Sequence, residues 1–438
     1  MAGGTLKRVI RRMALRLAPA ASFLPQFARS FVYKILFGRR SLPQARTPSD
    51  NLVRRLDTSS SCFGVNIAGY LRAELGVGEA ARLSFRAMAA AGIPSSLIDV
   101  SDCCQSPVHE SGLDGLIGND NPYPVNLLHT APDQVPVVAA LLGNDFFTER
   151  YNVGCWVWEL PEFPEKWRDS FPPFHEIWAP TQFVVDAVAA KSPVPVRRMP
   201  YPVDIPQNVG TAREKFSIPA DVFAFLTMFD MNSFYQRKNP EAALKAFLQA
   251  FDKRDDVVLI VKTHNSGTTP EFFSRLKALD EQHANIVLMD KTLPRKEVWE
   301  LENSCDAFVS LHRSEGFGLC LAECMGLGKP VVATGWSGND DFMDEHNSCP
   351  VGYELVEIEQ NVGVYKAGQK WADADVAQAA DYMRRLVQDA AYREAISTEA
   401  ARYIRETLSS EAIGARVREW AGELQETCQS QAIRRRED

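Results

Sequence analysis

From Phe63 onward the chain alternates short apolar, β-branched runs with stretches of helical periodicity, and it does so twice over. This rhythm constrains the fold more than any single residue does. Strands separated by helical segments pair in parallel and need helices over both faces of the sheet. FGVNIAGYL (63–71) reads as a strand, GVGEAARLSFRAMAAAG (76–92) as a helix closing on Gly92, and SSLIDV (95–100) as the next strand. Strand-like runs return at 125–129, 152–157 and 176–179, with helical patterns at 135–142 and 182–190. RRMPYPVDIP (197–206), with three prolines, closes this layer and is the expected interdomain hinge.

A second round starts at FAFLTMFD (223–230). Helices are expected at 239–251, 271–282, 295–304 and 318–327, and strands at 256–264, 285–289, 307–310 and 330–334. After Trp371 the pattern is helical, through 376–388, 392–405 and 410–423. The expected fold class is therefore α/β: two Rossmann-like, doubly wound domains facing a central cleft, with the ligand beyond the carboxyl ends of both sheets. The expected limits are an arm and linker at 1–58, domains at 59–205 and 206–405, and a last helix at 406–438 that packs back on the first domain.

Charge divides the chain. Ten of the 48 Lys and Arg residues fall in 1–49, and none of the 56 Asp and Glu residues does; the rest carries 38 bases against 56 acids, a net of −18. Leu6, Val9, Ile10, Met13 and Leu17 share one helical face, with Lys7, Arg8, Arg11, Arg12 and Arg16 mostly opposite. Such a basic amphipathic segment can lie on an anionic membrane surface without crossing it. A solvated tail, an arm packed on its own protein and an Arg-rich transit peptide fit the same pattern. The −18 body argues against nucleic acid as a partner. The stretch 44–61, rich in Pro, Ser, Thr and Asn, reads as a linker. No uncharged apolar run reaches membrane-spanning length. The nine cysteines show no paired-ligand spacing, so reduced thiols, a cytoplasmic setting and no metal are expected.

The most informative segment is HRSEGFGLCLAECMGLG (312–328), with Glu315 and Glu323 eight positions apart. Glu315 falls in the loop after a strand. Gly316 and Gly318 allow close backbone approach, and the helix that follows offers free N–H groups to an anion. Glu323, more than a turn into that helix, can accept hydrogen bonds from a pair of sugar hydroxyls. An ordinary strand–loop–helix crossover with two solvated glutamates is the plainer alternative. Upstream, FDMNSFYQRKNPEAALKAF (229–247) sets Arg237 and Lys238 just before a helix that opens on Asn239 and Pro240. Lys262, at the end of DVVLIVK, is a third cation. In GYLRAELGVGEAAR (69–82), Gly76 and Gly78 follow the first strand; Ala81 breaks the full G-x-G-x-x-G, but Asp99 keeps an NAD reading open at this point.

The run E-G-F-G-L-x-x-x-E resembles the signature of retaining glycosyltransferases of the GT-B fold, the family four class (glycosyl transferases group 1). The resemblance covers about 63–425 and is strongest over 223–343. It implies that Glu315 contacts the donor sugar, that the backbone of Gly316, Phe317, Gly318 and Leu319 holds sugar and diphosphate, and that Glu323 binds the ribose. It further implies that Arg237, Lys238 or Lys262 neutralises the leaving nucleoside diphosphate in place of a metal, that Gly76 and Gly78 approach the donor phosphate or the acceptor, and that His129 stands beside the donor sugar. Asn339, in WSGNDDFM (336–343), is placed at the donor by position alone. CWVWELPEFPEKW (155–167) is read as an acceptor wall, with Trp158 and Glu159 facing a sugar, or equally as core packing.

The implied function is transfer of a hexose, with mannose favoured, from a GDP- or UDP-linked donor to a glycan or lipid-linked hydroxyl. Anomeric configuration is retained, and neither a metal nor any other cofactor is required. The setting would be bacterial polysaccharide synthesis at the inner face of the membrane, with residues 1–40 on its anionic surface. A GT-B epimerase or phosphorylase, and a non-catalytic membrane-associated interaction protein, remain as alternatives.

Overall fold

In the computed structural model, the described residues are 42–437 apart from 60–61, 105–107, 109 and 207, with side chains described to residue 430. The basic amphipathic arm expected at 1–40 lies outside the described residues.

The first sheet runs β1 (Val65–Gly69), β2 (Ser95–Asp99), β3 (Ile117–Gly118), β4 (Val125–His129), β5 (Tyr151–Cys155), β6 (Glu176–Ala179) and β7 (Val196–Arg198). Its spatial order is β3-β2-β1-β4-β5-β6-β7, and every pair is parallel. The second sheet comprises β8 (Phe223–Met228), β9 (Val257–Thr263), β10 (Ile286–Asp290), β11 (Ala307–Ser310), β12 (Val331–Thr334) and β13 (Cys349–Val351), in the parallel order β10-β9-β8-β11-β12-β13. Both sheets reverse direction beside their first strand, between β1 and β4 and between β8 and β11. That is where a doubly wound sheet opens a crevice at its carboxyl end.

The strands are apolar because helices cover both faces: all seven residues of β9 are buried. The first sheet also carries an internal polar ladder. Asn66, Asn126 and Asn152 lie in register on β1, β4 and β5, and each amide donates to the next at 2.8 Å. Buried amides must be paired, so this row fixes the alignment of three strands that apolar contacts alone would leave freer to slip.

The segment 44–61 is not a plain linker. Ser49 caps a helix, Asp50–Arg55, by accepting from the Leu52 N–H at 3.2 Å, and Leu52, Val53 and Leu56 are buried. The composition of the stretch hid a cap followed by an apolar face. The final helix, Ser410–Glu437, runs beyond the expected end at 423 and lies on the helix Gly76–Ala90 of the first domain, with Trp420 edge-on to Trp178 at 4.8 Å. The chain crosses between the domains at two adjacent points: the Val203 N–H donates to the Leu408 carbonyl at 2.6 Å, and the Ser410 N–H to Asp204 Oδ1 at 2.9 Å.

An antiparallel hairpin, β14 (Tyr353–Glu357) and β15 (Lys370–Ala374), had no counterpart in the sequence expectations. Its connecting loop brings Tyr365 onto Trp158 of the first domain, with ring centroids 5.6 Å apart.

Candidate functional site

Two chain segments meet at the carboxyl ends of β8 and β11. After β8 the chain turns through a short helix, Tyr235–Lys238, that ends on Asn239 in the left-handed region at φ 49°. The Asn239 side chain donates to the Leu311 carbonyl at 2.9 Å, which pins this turn to the chain leaving β11. Beyond β11, Glu315 and the glycine loop lead through Gly318, at φ 95°, into the helix Leu319–Gly326. Only glycine adopts that backbone conformation without strain.

The geometry brings Arg237, Lys238 and Glu315 together. Arg237 Nη1 lies 3.2 Å from one Glu315 oxygen and Lys238 Nζ pairs with the other; Arg237 Nη1 also donates to the Ser314 carbonyl at 2.7 Å. Burial opposes charge on Glu315, but Lys238, Arg237 and His312 outweigh it and hold the carboxyl down at about 2. Burial likewise opposes the Arg237 charge, yet the Glu315 and Glu159 carboxylates support it. Two fixed cations share the Glu315 carboxylate at the switch point of the second sheet. Such a cluster is built to receive an anion.

Glu323 is 3% exposed and pairs with Arg295. Arg295 packs over the Trp299 ring at 4.7 Å and reaches Glu79 of the first domain at 3.9 Å. Lys262 is buried at the end of β9, 3.4 Å from His264 Nδ1, and burial lowers its pKa. Its charged neighbours are Asp230, Glu74 and Glu302 rather than Glu315, so it stands apart from the Arg237–Lys238 pair.

The glycine loop is a domain contact. The Gly316 carbonyl accepts from Thr181 Oγ1 at 2.9 Å, and a Cβ on Gly316 would lie 2.2 Å from Val157 Cγ2. Phe317 is wedged between Tyr201 and Phe342, with centroids at 5.2 Å from each, and Leu319 is half-buried beside it. The Asn339 side chain donates to the Thr334 carbonyl at 2.9 Å, so this amide shapes its own loop. Gly78 sits 2.5 Å, measured from an added Cβ, from the Tyr70 carbonyl, whereas Gly76 faces open space at the helix start.

Two expectations are placed differently. His129 is 1% exposed, lines an apolar cavity with Trp178, Met199, Tyr201, Ile413 and Val417, and is driven down to about 3 by burial alone. No charged group shapes its titration and neither ring nitrogen has a hydrogen-bond partner, so the ring lines this cavity rather than the charge cluster. The histidine at the charge cluster is His312, lowered to about 4 by burial first and then by Lys238 and Arg237. Trp158 is 1% exposed, edge-on to Trp167 at 4.9 Å, with its Nε1–H donated to the Glu162 carbonyl. Its ring faces are covered by protein, so the aromatic run is core and not a stacking wall. Glu159 is half-buried and accepts from the Tyr365 hydroxyl at 3.2 Å, beside Arg237.

The sequence expectations also missed Arg295, Glu302 and Tyr365. Glu302, Cys320 and Glu323 hold one donor atom each within 4.8 Å of one another. Without a cation present, burial pushes the Cys320 thiol up to about 12 and Glu302 well above the carboxylate range.

Residues 225–403 match the family model described as glycosyl transferases group 1. No curated protein matches the chain significantly. Among solved structures, the Anabaena protein HepE in complex with UDP and glucose is similar at a TM-score of 0.58 and 13% identity, covering 82% of this chain and 100% of that one. A sucrose-phosphate synthase from Thermosynechococcus elongatus and a glycosyltransferase from Rickettsia africae each give 0.59 at 14% identity, covering 83% of this chain and 99% of theirs. At such identities the likeness is one of fold. The chain therefore has the GT-B fold, and its second domain, over residues 225–403, matches glycosyl transferases group 1.

Proposed function

We propose that the protein transfers a hexose from a nucleoside-diphosphate sugar to a hydroxyl of a glycan or lipid-linked acceptor, with retention and without a metal. The observation that carries this reading is the convergence of Arg237 and Lys238 on Glu315 at the switch point of the second sheet. As the bond between the anomeric carbon and the diphosphate oxygen breaks, its electron pair stays on the diphosphate. Arg237 and Lys238 are already in place to hold that charge, with no reorganisation needed. The acceptor oxygen bonds to the same face of the sugar, and its proton passes to the departing phosphate oxygen.

Glu315 keeps the two cations apart and ordered while the site waits, and the sugar hydroxyls replace one of its partners when the donor arrives. Glu323 receives the ribose hydroxyls. UDP-sugars are the first donors to try, because the fold relative from Anabaena holds UDP and glucose. Residues 1–40 set the enzyme on an anionic membrane surface, close to a lipid-linked acceptor. Among the described residues no helix is long and apolar enough to cross a membrane.

The test is a panel of UDP- and GDP-sugars, scored for thermal stabilisation and for release of nucleotide with and without acceptor. Stabilisation by one nucleotide with acceptor-dependent release supports the reading. Stabilisation by NAD alone, or sugar conversion needing no acceptor, rejects it. Sedimentation with anionic vesicles, lost when residues 1–40 are removed, tests the membrane arm.

A further inference from the structure

Glu302, on the helix Arg295–Ser304, is 1% exposed, yet neither of its carboxyl oxygens has a hydrogen-bond partner. A buried carboxyl left in that state demands a physical account. The nearest carboxyl is Glu323, whose Oε1 is taken by Arg295 and whose Oε2 is likewise unpartnered. Side-chain atoms of the two lie within 4.8 Å, with Cys320 in the same group.

Two buried carboxyls so close, with a guanidinium paired to just one of them, do not both ionise. The groups around Glu302 are Arg295 on its own helix, Glu323, Cys320 and Cys324 on the helix Leu319–Gly326, Lys262 on β9, and Cys305 just past the helix end. Glu79 and Arg86 of the first domain act on Glu323. The three thiols are all raised by burial and stay protonated. Burial, then the Glu323 charge, drives Glu302 well above the carboxylate range, and Arg295 and Lys262 only partly offset it.

We infer that Glu302 is a neutral carboxylic acid that donates its hydrogen to the free oxygen of Glu323 and thereby orients that carboxylate toward the paired hydroxyls of the donor nucleotide. Glu302 does not touch the ligand; it is a positioning residue, and one proton held between two acids sets the angle at which Glu323 meets the ribose. The ligand in this account rests on the proposed donor reading, whereas the proton does not.

Two measurements separate the two. Infrared difference spectroscopy at neutral pH detects a protonated carboxyl that disappears in Glu302→Gln. UDP and GDP affinities, followed from about pH 6 to about pH 10 to span a raised carboxyl, fall roughly tenfold in the wild type as Glu302 ionises and its hydrogen bond is lost. Glutamine donates at every pH, so Glu302→Gln keeps the neutral-pH affinity and loses the alkaline decline; Glu302→Ala binds weakly throughout. The inference is overturned if the infrared band survives in Glu302→Gln, if that variant follows the wild-type alkaline loss, or if chelation abolishes binding and Zn²⁺ restores it. Should neither nucleotide bind the wild type, the donor reading fails and the infrared band still decides the proton.

Discussion

Arg295 and Glu79 approach to 3.9 Å across the boundary between the two domains, and the same guanidinium pairs with Glu323. One cation therefore serves an acid from each half of the molecule. Glu79 has a second partner in Arg82 at 2.7 Å, but Glu323 has no other cation paired with it among the described residues. Removing Arg295 strands a buried carboxylate, which costs about 3–5 kcal/mol. Arg295→Ala should lower the urea midpoint accordingly. An unchanged midpoint would show that the pair contributes nothing to holding the domains.

Glu315 makes stability depend on acid. Its carboxyl titrates at about 2 in the folded protein against an ordinary 4.5, so its contribution is fully present above 4.5 and is lost as pH falls toward 2. A shift of that size corresponds to at most about 3 kcal/mol. Urea unfolding at stepped acid pH should show this limb in the wild type and a flatter one in Glu315→Gln. Parallel limbs in the two proteins would place the acid sensitivity elsewhere.

Arg237 offers two parallel donors where an ammonium offers a point charge. Arg237→Lys should keep the fold, because Glu315 still finds a cation, and should lower the transfer rate on the order of 100-fold by loosening the grip on the leaving diphosphate. Steady-state kinetics with the donor found by the panel gives the result. A loss confined to KM would assign Arg237 to ground-state binding alone.

Gly338 is fixed by contact rather than by φ. A Cβ there would lie 2.4 Å from the Gly316 carbonyl oxygen and 2.8 Å from the Phe317 nitrogen, both backbone atoms with little room to yield. Gly338→Ala should push the donor loop off its seat, at about 1–3 kcal/mol of stability, and raise the donor KM. Gly76→Ala, facing open space, is the matched control and should leave the thermal midpoint near that of the wild type.

The double α/β rhythm was legible because each strand is buried on both faces and so is written as a nearly unbroken apolar run, as in β9. Arg237, Lys238 and Glu315 were legible because each sits at a strand end beside glycine or a helix start, a local pattern. Arg295, Glu302 and His312 carry no such mark. Arg295 and Glu302 matter only because the helix Arg295–Ser304 is laid against the helix Leu319–Gly326, and His312 only because β11 ends beside Lys238. The aromatic run 155–167 misled for the converse reason. Its composition suits either a sugar or a core, and the choice was made by Tyr365, from a hairpin more than 190 residues away that caps Trp158.

The chain begins and ends its described course on the first domain, and it passes between the halves at two connecting segments that are hydrogen-bonded to each other through Val203 and Leu408. Two anchors side by side permit swivelling about the line that joins them and resist shear or wholesale separation. A rotation of one lobe against the other that kept both anchors would therefore turn about that line alone.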